Sequence, residues 1–531
     1  MKAYINAKIY TLDADNPKAG YLIEKDGKVI ETGKLFEESE YASNFEQKNI
    51  IDLEGCIVTP AFWESHLHIV DGLRSLVELN LRSISSLEEL KEAIESYASG
   101  IGNNDWVIGH GWDEEKHFGG SFPDRQLLDK LHDEHPMMLI RMDGHSLCLN
   151  TKAMDLMKID QMMPNSEIPL DDTGKSTGML YENAANEVTQ EIIDSFSEEY
   201  IEKLVLSAQE LFLKNGISSV NDICTKYGRY FDVYRKLQKS GKLKMRITTS
   251  PYGMCEESLE EFDARKGDET DRLRIAAPKF FMDGSFGSRT ALLMDEYADA
   301  PGHYGLQLME KEQLKEIIIQ NETINQPITI HAIGDKAVHI ILDCIEETRV
   351  HNQRDIRHRV EHIQIVQDHD IQRFNKLDVT ASFQPVFLYE KELTESRLGT
   401  ERFPMIYRFK SFIENGVNVI LNSDFPYGGG NMPTKKDKSK YIGFEPILAI
   451  HAACYKQLNE PESIEPLQAL RCYTTNAAFA NYREKELGKL ASGYFADFIV
   501  LTEDILKCSP EELLQTEVLK TVVNGEVVYI R

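Results

Sequence analysis

The sequence has no run of about 18 apolar residues, so no membrane-crossing helix is expected. Its eight cysteines, at 56, 148, 224, 255, 344, 454, 472 and 508, include no Cys-x-x-Cys pair. Thiols scattered in this way read as buried side chains in a reducing compartment, not as a disulfide frame or a zinc ribbon. The opening residues, MKAYINAKIYTLDAD, lack the apolar stretch of a secretory signal. A cytoplasmic protein is expected. Basic residues are also short: 59 Lys and Arg stand against 87 Asp and Glu, a net charge of −28. An acidic surface argues against nucleic acid and anionic membrane as partners. A small-molecule substrate remains, with a homodimer left open.

What is present is an alternation. The first 55 residues and the last 45 read as short strands and turns, with the turn signals KDGK and NG. Neither end has enough strands to be stable alone. Residues 1–57 and 485–531 are therefore expected to pair into one terminal β-sandwich. Residues 58–484 read differently. Apolar runs of strand length (AFWESHLH, GISSVNDI, KMRITTSPY, RIAAPKFFMDG, PITIHAIGD, RHRVEHIQI, VTASFQP, NVILNSDFP) are separated by stretches of helical period. Eight such strands with intervening helices predict an α/β fold with a TIM-like (β/α)₈ barrel, with a doubly wound open sheet as the other reading. Residues about 73–200 are too long for a loop and read as a subdomain inserted after the first barrel strand. The stretch 428–440, GGGNMPTKKDKSK, reads as a mobile loop over the same face.

Catalytic groups in such barrels come from the carboxyl ends of strands. Here those ends carry His66 and His68, Lys279 and Asp283, His331, His362 and Asp424. Each has an ordinary explanation alone: a hydrogen-bonded core histidine, a snorkelling lysine, a turn-capping aspartate. All of them falling at strand ends by accident is a poor explanation of the set. Neutral imidazoles and carboxylates are ligands for zinc and similar divalent ions. A lysine ammonium is not a ligand, but a lysine carbamate is a carboxylate that can bridge two cations. Two such ions share a hydroxide that is nucleophilic at neutral pH, and Asp424 is placed to move its proton.

This set resembles that of the amidohydrolase superfamily. The strings RMDGHSLCLN, KFFMDGSFGSRTALL, HAIGDKAV, RVEHIQ and NSDFP resemble the amidohydrolase-3 branch that includes N-substituted formamide deformylase. The C-terminal GKLASGYFADFIVL resembles the closing strands of the superfamily. The resemblance implies metal ligands at His66, His68, His331 and His362, N6-carboxylated Lys279 as a bridge, and Asp424 as both ligand and catalytic base. It implies a divalent metal, zinc first, as one or two ions.

Three further residues are candidates for substrate contact. Trp112 either stacks on substrate or is buried core, His145 either holds the substrate carbonyl or caps a turn, and Arg289 either meets substrate or pairs with an acid. The expected activity is metal-dependent hydrolysis of a non-peptide C–N bond, an amide or N-substituted formamide. A cyclic amidine deaminase or an ester hydrolase would use the same site, and a non-catalytic barrel that binds a small ligand would have no need of the full set.

Overall fold

Two tight turns, Asp26-Gly27 and Asn524-Gly525, organise the ends of the chain. All four residues have positive φ, between 51° and 84°, as a two-residue hairpin requires and as Asp, Asn and Gly tolerate. The turns join Tyr21–Lys25 to Lys28–Gly33 and Val518–Val523 to Glu526–Ile530. The computed structural model describes residues 1–531 other than 83, 103–104, 160–166, 195, 226–227, 350–354, 429–431 and 438–440.

Both ends enter one six-stranded sheet, where Phe498–Leu501 runs antiparallel to Ile57–Pro60. A four-stranded sheet holds Lys28–Gly33, Tyr21–Lys25, Lys2–Ile5 and Ile50–Asp52. The two sheets share apolar side chains, with Tyr4, Leu22 and Val29 packed against Val58, Phe498 and Val522. Tyr4 meets Phe498 edge-on at 4.9 Å.

The centre is α/β. Its strands are β1 Phe62–Leu67, β2 Ile217–Thr225, β3 Arg246–Pro251, β4 Lys279–Phe281, β5 Thr329–Ala332, β6 Arg359–His362, β7 Thr380–Phe383 and β8 Val419–Leu421. β1, β2 and β3 are parallel neighbours, and β4 to β8 follow one another in a second parallel sheet. Parallel bridges at Tyr252–Lys279 and Leu67–Phe425 link the edges of the two sheets.

The helix before β2, α1 Glu198–Lys214, illustrates the packing. Ile201, Leu204, Val205, Ala208 and Phe212 recur at helical spacing and are buried. Ser197 caps the start by accepting from Tyr200 N, and Gly216 at φ 78° turns the chain just beyond the end. Each large apolar side chain buried here stabilises by roughly 1.5–3 kcal/mol. Phe212→Ala would open a cavity in this seam.

One predicted strand is divided. RIAAPKFFMDG is split between the end of Leu273–Ile275, which pairs with β3, and β4, which pairs with β5. Pro278 lies between them and has no N–H for a ladder, although its carbonyl still accepts from Thr329 N.

The stretch between β1 and β2 has its own five-stranded sheet, ordered Met179–Tyr181, Ser146–Leu149, Met137–Arg141, Val107–Trp112, Leu79–Asn80. Two apolar clusters of its own hold it together. In the stretch after β8, residues 429–431 and 438–440 lie outside the described residues, and Gly428 N donates to Met142 O of the inserted sheet. No helix among the described residues is long and apolar enough to cross a membrane.

Candidate metal centre

The ends of β1 and β8 are tied by two backbone bonds, Asp424 N to His66 O and His68 N to Phe425 O, both 2.8 Å. Alternation along β1 sends His66 and His68 to the same side, and the tie brings Asp424 to them. Asp424 and His362 have φ of 58° and 80°. Non-glycine residues seldom adopt such values, and those that do often serve a site.

Donor atoms of His66, His362 and Asp424 lie within 4.8 Å of one another, and all three residues are buried. Asp424 Oδ1 is 3.2 Å from Nε2 of both His66 and His68. The His331 ring centroid is 4.3 Å from that of His362. His66 Nδ1 meets Glu361 Oε2 at 2.7 Å, and its Nε2 is buried with no hydrogen-bond partner among the described residues. His362 Nδ1 meets Gln384 Oε1 at 2.8 Å, and His331 Nε2 meets Gly284 O at 3.0 Å. His66, His331 and His362 thus each have one nitrogen held by an acceptor other than Asp424.

Burial and charge set the protonation of the group. Burial pushes the His362 imidazole down to about 3 and holds that of His331 well below the usual histidine range. For Asp424, burial pulls upward, but His66, His68 and His362 outweigh it and keep the carboxylate well below its ordinary range. Neutral imidazoles and an ionised carboxylate are the forms that bind a divalent ion.

These groups line a cavity of about 110 Å³, along with Lys279, His145, Cys224 and Tyr427. Lys279 is 1% exposed, with its Nζ 5.0 Å from the centre of the Phe281 ring; burial lowers its pKa, against the pull of Glu361 and Asp424. Asp283 is spent elsewhere, accepting from the backbone N–H of Leu292, Ile333 and Gly334. A smaller chamber, also bordered by His331, His362 and Asp424, adds Phe286, Ile333, Phe387 and Tyr407.

The structure divides the three substrate-contact candidates. His145 lies at the cavity, its ring 5.0 Å from His331 and its Nδ1 2.8 Å from Glu182. Burial opposes its charge, yet Glu182 and Asp143 outweigh burial and raise it to about 9. Trp112 and Arg289 are not brought there. Trp112 is fully buried between Phe118 and Phe122 and donates to Leu139 O. Its position on an inserted strand turns the indole into that sheet's own core. Arg289 forms a two-pronged pair with Asp299, which holds its guanidinium away from the cavity.

Sequence reading missed the residues that hold these side chains: Glu361 on His66, Gln384 on His362 and Glu182 on His145. Only Glu361 left a trace. A carboxylate inside the apolar strand RVEH needs a buried partner, and here it has both His66 and Arg359 Nη2, the latter at 2.9 Å.

The amidohydrolase family pattern matches residues 49–529. The chain is 26% identical over 552 residues to N-substituted formamide deformylase of Arthrobacter pascens, covering 99% of this chain and 98% of the relative. It is 29% identical over 547 residues to the protein LONG AFTER FAR-RED 3 of Arabidopsis thaliana, covering 99% and 91%. The crystal structure of an uncharacterized metal-dependent hydrolase from Pyrococcus furiosus superposes with a TM-score of 0.74 at 31% identity, covering 95% of this chain and all of that one.

Proposed function

The chain belongs to the amidohydrolase family and is a metal-dependent hydrolase, and we propose that it cleaves the C–N bond of a small organic amide, with N-substituted formamides as the leading class. The observation that carries this reading is the convergence of His66, His362 and Asp424 in a buried cavity, with His68 and His331 beside them. His66 Nε2, 3.2 Å from Asp424 Oδ1 but without a well-directed hydrogen bond, and the ionised Asp424 fit a divalent cation. We assign His66, His68, His331, His362 and Asp424 as ligands, and zinc as the ion such donors suit. When bound, such an ion polarises a carbonyl and acidifies water.

The chain's own groups do the rest. Glu361 accepts from His66 Nδ1–H and Gln384 from His362 Nδ1–H, which presents Nε2 of each ring to the cavity. Asp424 takes the proton of the attacking water and returns it to the leaving nitrogen, so that amide and water give acid and amine. His145, kept as imidazolium by Glu182, donates to the substrate carbonyl. Burial lowers the Lys279 pKa, which favours the free amine that can take up CO₂ as a carbamate, and that carbamate would supply carboxylate oxygens to the ion or ions. That reading is supported by its burial and by its place on the wall of the same cavity.

The architecture supporting this site is read as one closed (β/α)₈ barrel, because the Tyr252–Lys279 and Leu67–Phe425 bridges join the sheet edges. Residues 1–57 and 485–531 are read as its β-sandwich, and 73–200 as the insertion that supplies His145. The eight free cysteines support a reducing, cytoplasmic setting.

A screen of N-substituted formamides, amides, lactams, cyclic amidines and esters on zinc-loaded protein tests the reading. Turnover of formamides or amides that falls away after chelation and returns with metal is expected. Turnover of esters or cyclic amidines alone would replace the C–N assignment. Activity indifferent to chelation would remove the metal from it.

A further inference from the structure

A second cavity, of about 590 Å³, opens at the amino ends of the strands, beside Thr329 and Arg359, the first residues of β5 and β6. The metal-centre residues lie at the other ends of the same strands. Its wall runs against the charge of the protein. The chain carries −28, yet this cavity is lined by Lys266, Arg274, Arg357, Arg359 and Arg483 and by one acid, Glu269.

Several of these cations are neutralised from behind. Arg357 is held by Asp355 and Glu484, and Lys266 by Asp263. Arg274 and Arg483 share one carboxylate, that of Glu486. Two N–H-bearing atoms are left over. Arg483 Nη2 and Arg359 Nε are buried and find no hydrogen-bond partner among the described residues. Their side chains are 2% and 4% exposed. Burial, together with the charges of Arg246 and Arg274, draws the Arg483 guanidinium down to about 10. A guanidinium in such surroundings is stabilised by an added oxyanion beside it, which offsets the charge. The remaining wall, with Ile275, Ala277, Ile324, Pro327 and Tyr482, suits a carbon skeleton.

We infer that this cavity is a second ligand site, binding a small organic oxyanion, a phosphate monoester or a dicarboxylate, through Arg274, Arg359 and Arg483. It is distinct from the metal centre and does not rest on the reaction assigned to it. Arg359 is the residue common to the two ends of the barrel: it lines this cavity and also pairs with Glu361, the support of His66.

Calorimetric titration of the full-length protein with glycerol 2-phosphate and with succinate tests the site. One probe is expected to bind saturably with one equivalent, and which one does so identifies the acid. Arg274→Gln, which alters a partly exposed side chain, is expected to weaken binding about tenfold, the loss of one charged hydrogen bond, with unchanged metal content and melting temperature. A His66→Ala/His68→Ala variant is expected to keep the binding. If neither probe binds at millimolar concentration, or if binding is unchanged in Arg274→Gln, the site is refuted. Binding lost in the histidine variant would place the anion at the metal centre and refute it equally.

Discussion

Replacing Glu361 by Gln tests the support of the metal centre at its most informative point. The carboxylate accepts from His66 Nδ1 at 2.7 Å and lies 2.9 Å from Arg359 Nη2, with all three residues buried. Gln keeps the shape and removes the charge. A neutral acceptor makes a hydrogen bond about half as strong as a charged one, and the new amide can also present its NH₂ to Nδ1, which favours the wrong tautomer of His66. Loss of a ligand's outer partner typically costs 10–100-fold in metal affinity or activity, about 1.4–2.8 kcal/mol. Arg359 still donates to Ser65 O at 3.0 Å, so the cost to folding is about 1–3 kcal/mol and not that of a wholly stranded charge. Equilibrium dialysis against zinc with metal analysis, alongside thermal melts of apo and loaded protein, separates the two effects. The expected variant folds, binds zinc at least tenfold more weakly, and recovers much of its turnover in excess metal. Zinc affinity and kcat/KM within twofold of the parent would show that the His66–Glu361 contact does not orient the ligand.

Four other outcomes are expected. Asp424→Asn keeps the fold and lowers turnover by about 10² or more; near-normal turnover with full metal content would take Asp424 out of proton transfer. Lys279→Ala holds less metal, and added short carboxylates restore part of its activity; a crystal of fully loaded, active enzyme with no density beyond the lysine Nζ would disprove the carbamate. Trp112→Ala destabilises the inserted subdomain by about 3–5 kcal/mol and leaves KM near that of the parent, whereas a large rise in KM with intact stability would return Trp112 to the substrate. His451 is buried, and burial pushes it down to about 4. The unfolded chain takes up a proton near pH 6.5 and the folded chain only near pH 4, so this contribution to stability is full above about pH 6.5 and is lost as pH falls between those values. His451→Gln should flatten the dependence of melting temperature on pH in that window, and an unaltered slope would exclude His451 as a contributor.

Much of this protein was determined within short stretches of its sequence. The turns at Asp26-Gly27 and Asn524-Gly525 are local: those residues accept positive φ at little cost. The alternation of apolar strands with amphipathic helices is local too, because period 2 and period 3.6 are properties of the backbone. That alternation placed His66, His331, His362 and Asp424 at strand ends, where a parallel α/β fold gathers them. Pro278 was a local signal too, since a missing N–H is a property of one residue, but RIAAPKFFMDG was read as a single strand and the break came only with the structure.

The tertiary structure decided everything that depends on a contact across the chain. His66 meets Glu361 across 295 positions, and His68 meets Asp424 across 356. No periodicity encodes such pairs, because their geometry is fixed by the register of strands that are remote in sequence. The fates of Trp112 and His145 were decided in the same way. Both come from the inserted subdomain, and its packing buried the indole in its own core while turning the imidazole toward His331. The arginines at the opposite end of the strands look, in the sequence, like ordinary solvated charges. Only the fold gathers them around one cavity and leaves Arg483 Nη2 and Arg359 Nε without an acceptor among the described residues, because hydrogen-bond satisfaction is a property of a buried neighbourhood and not of a residue.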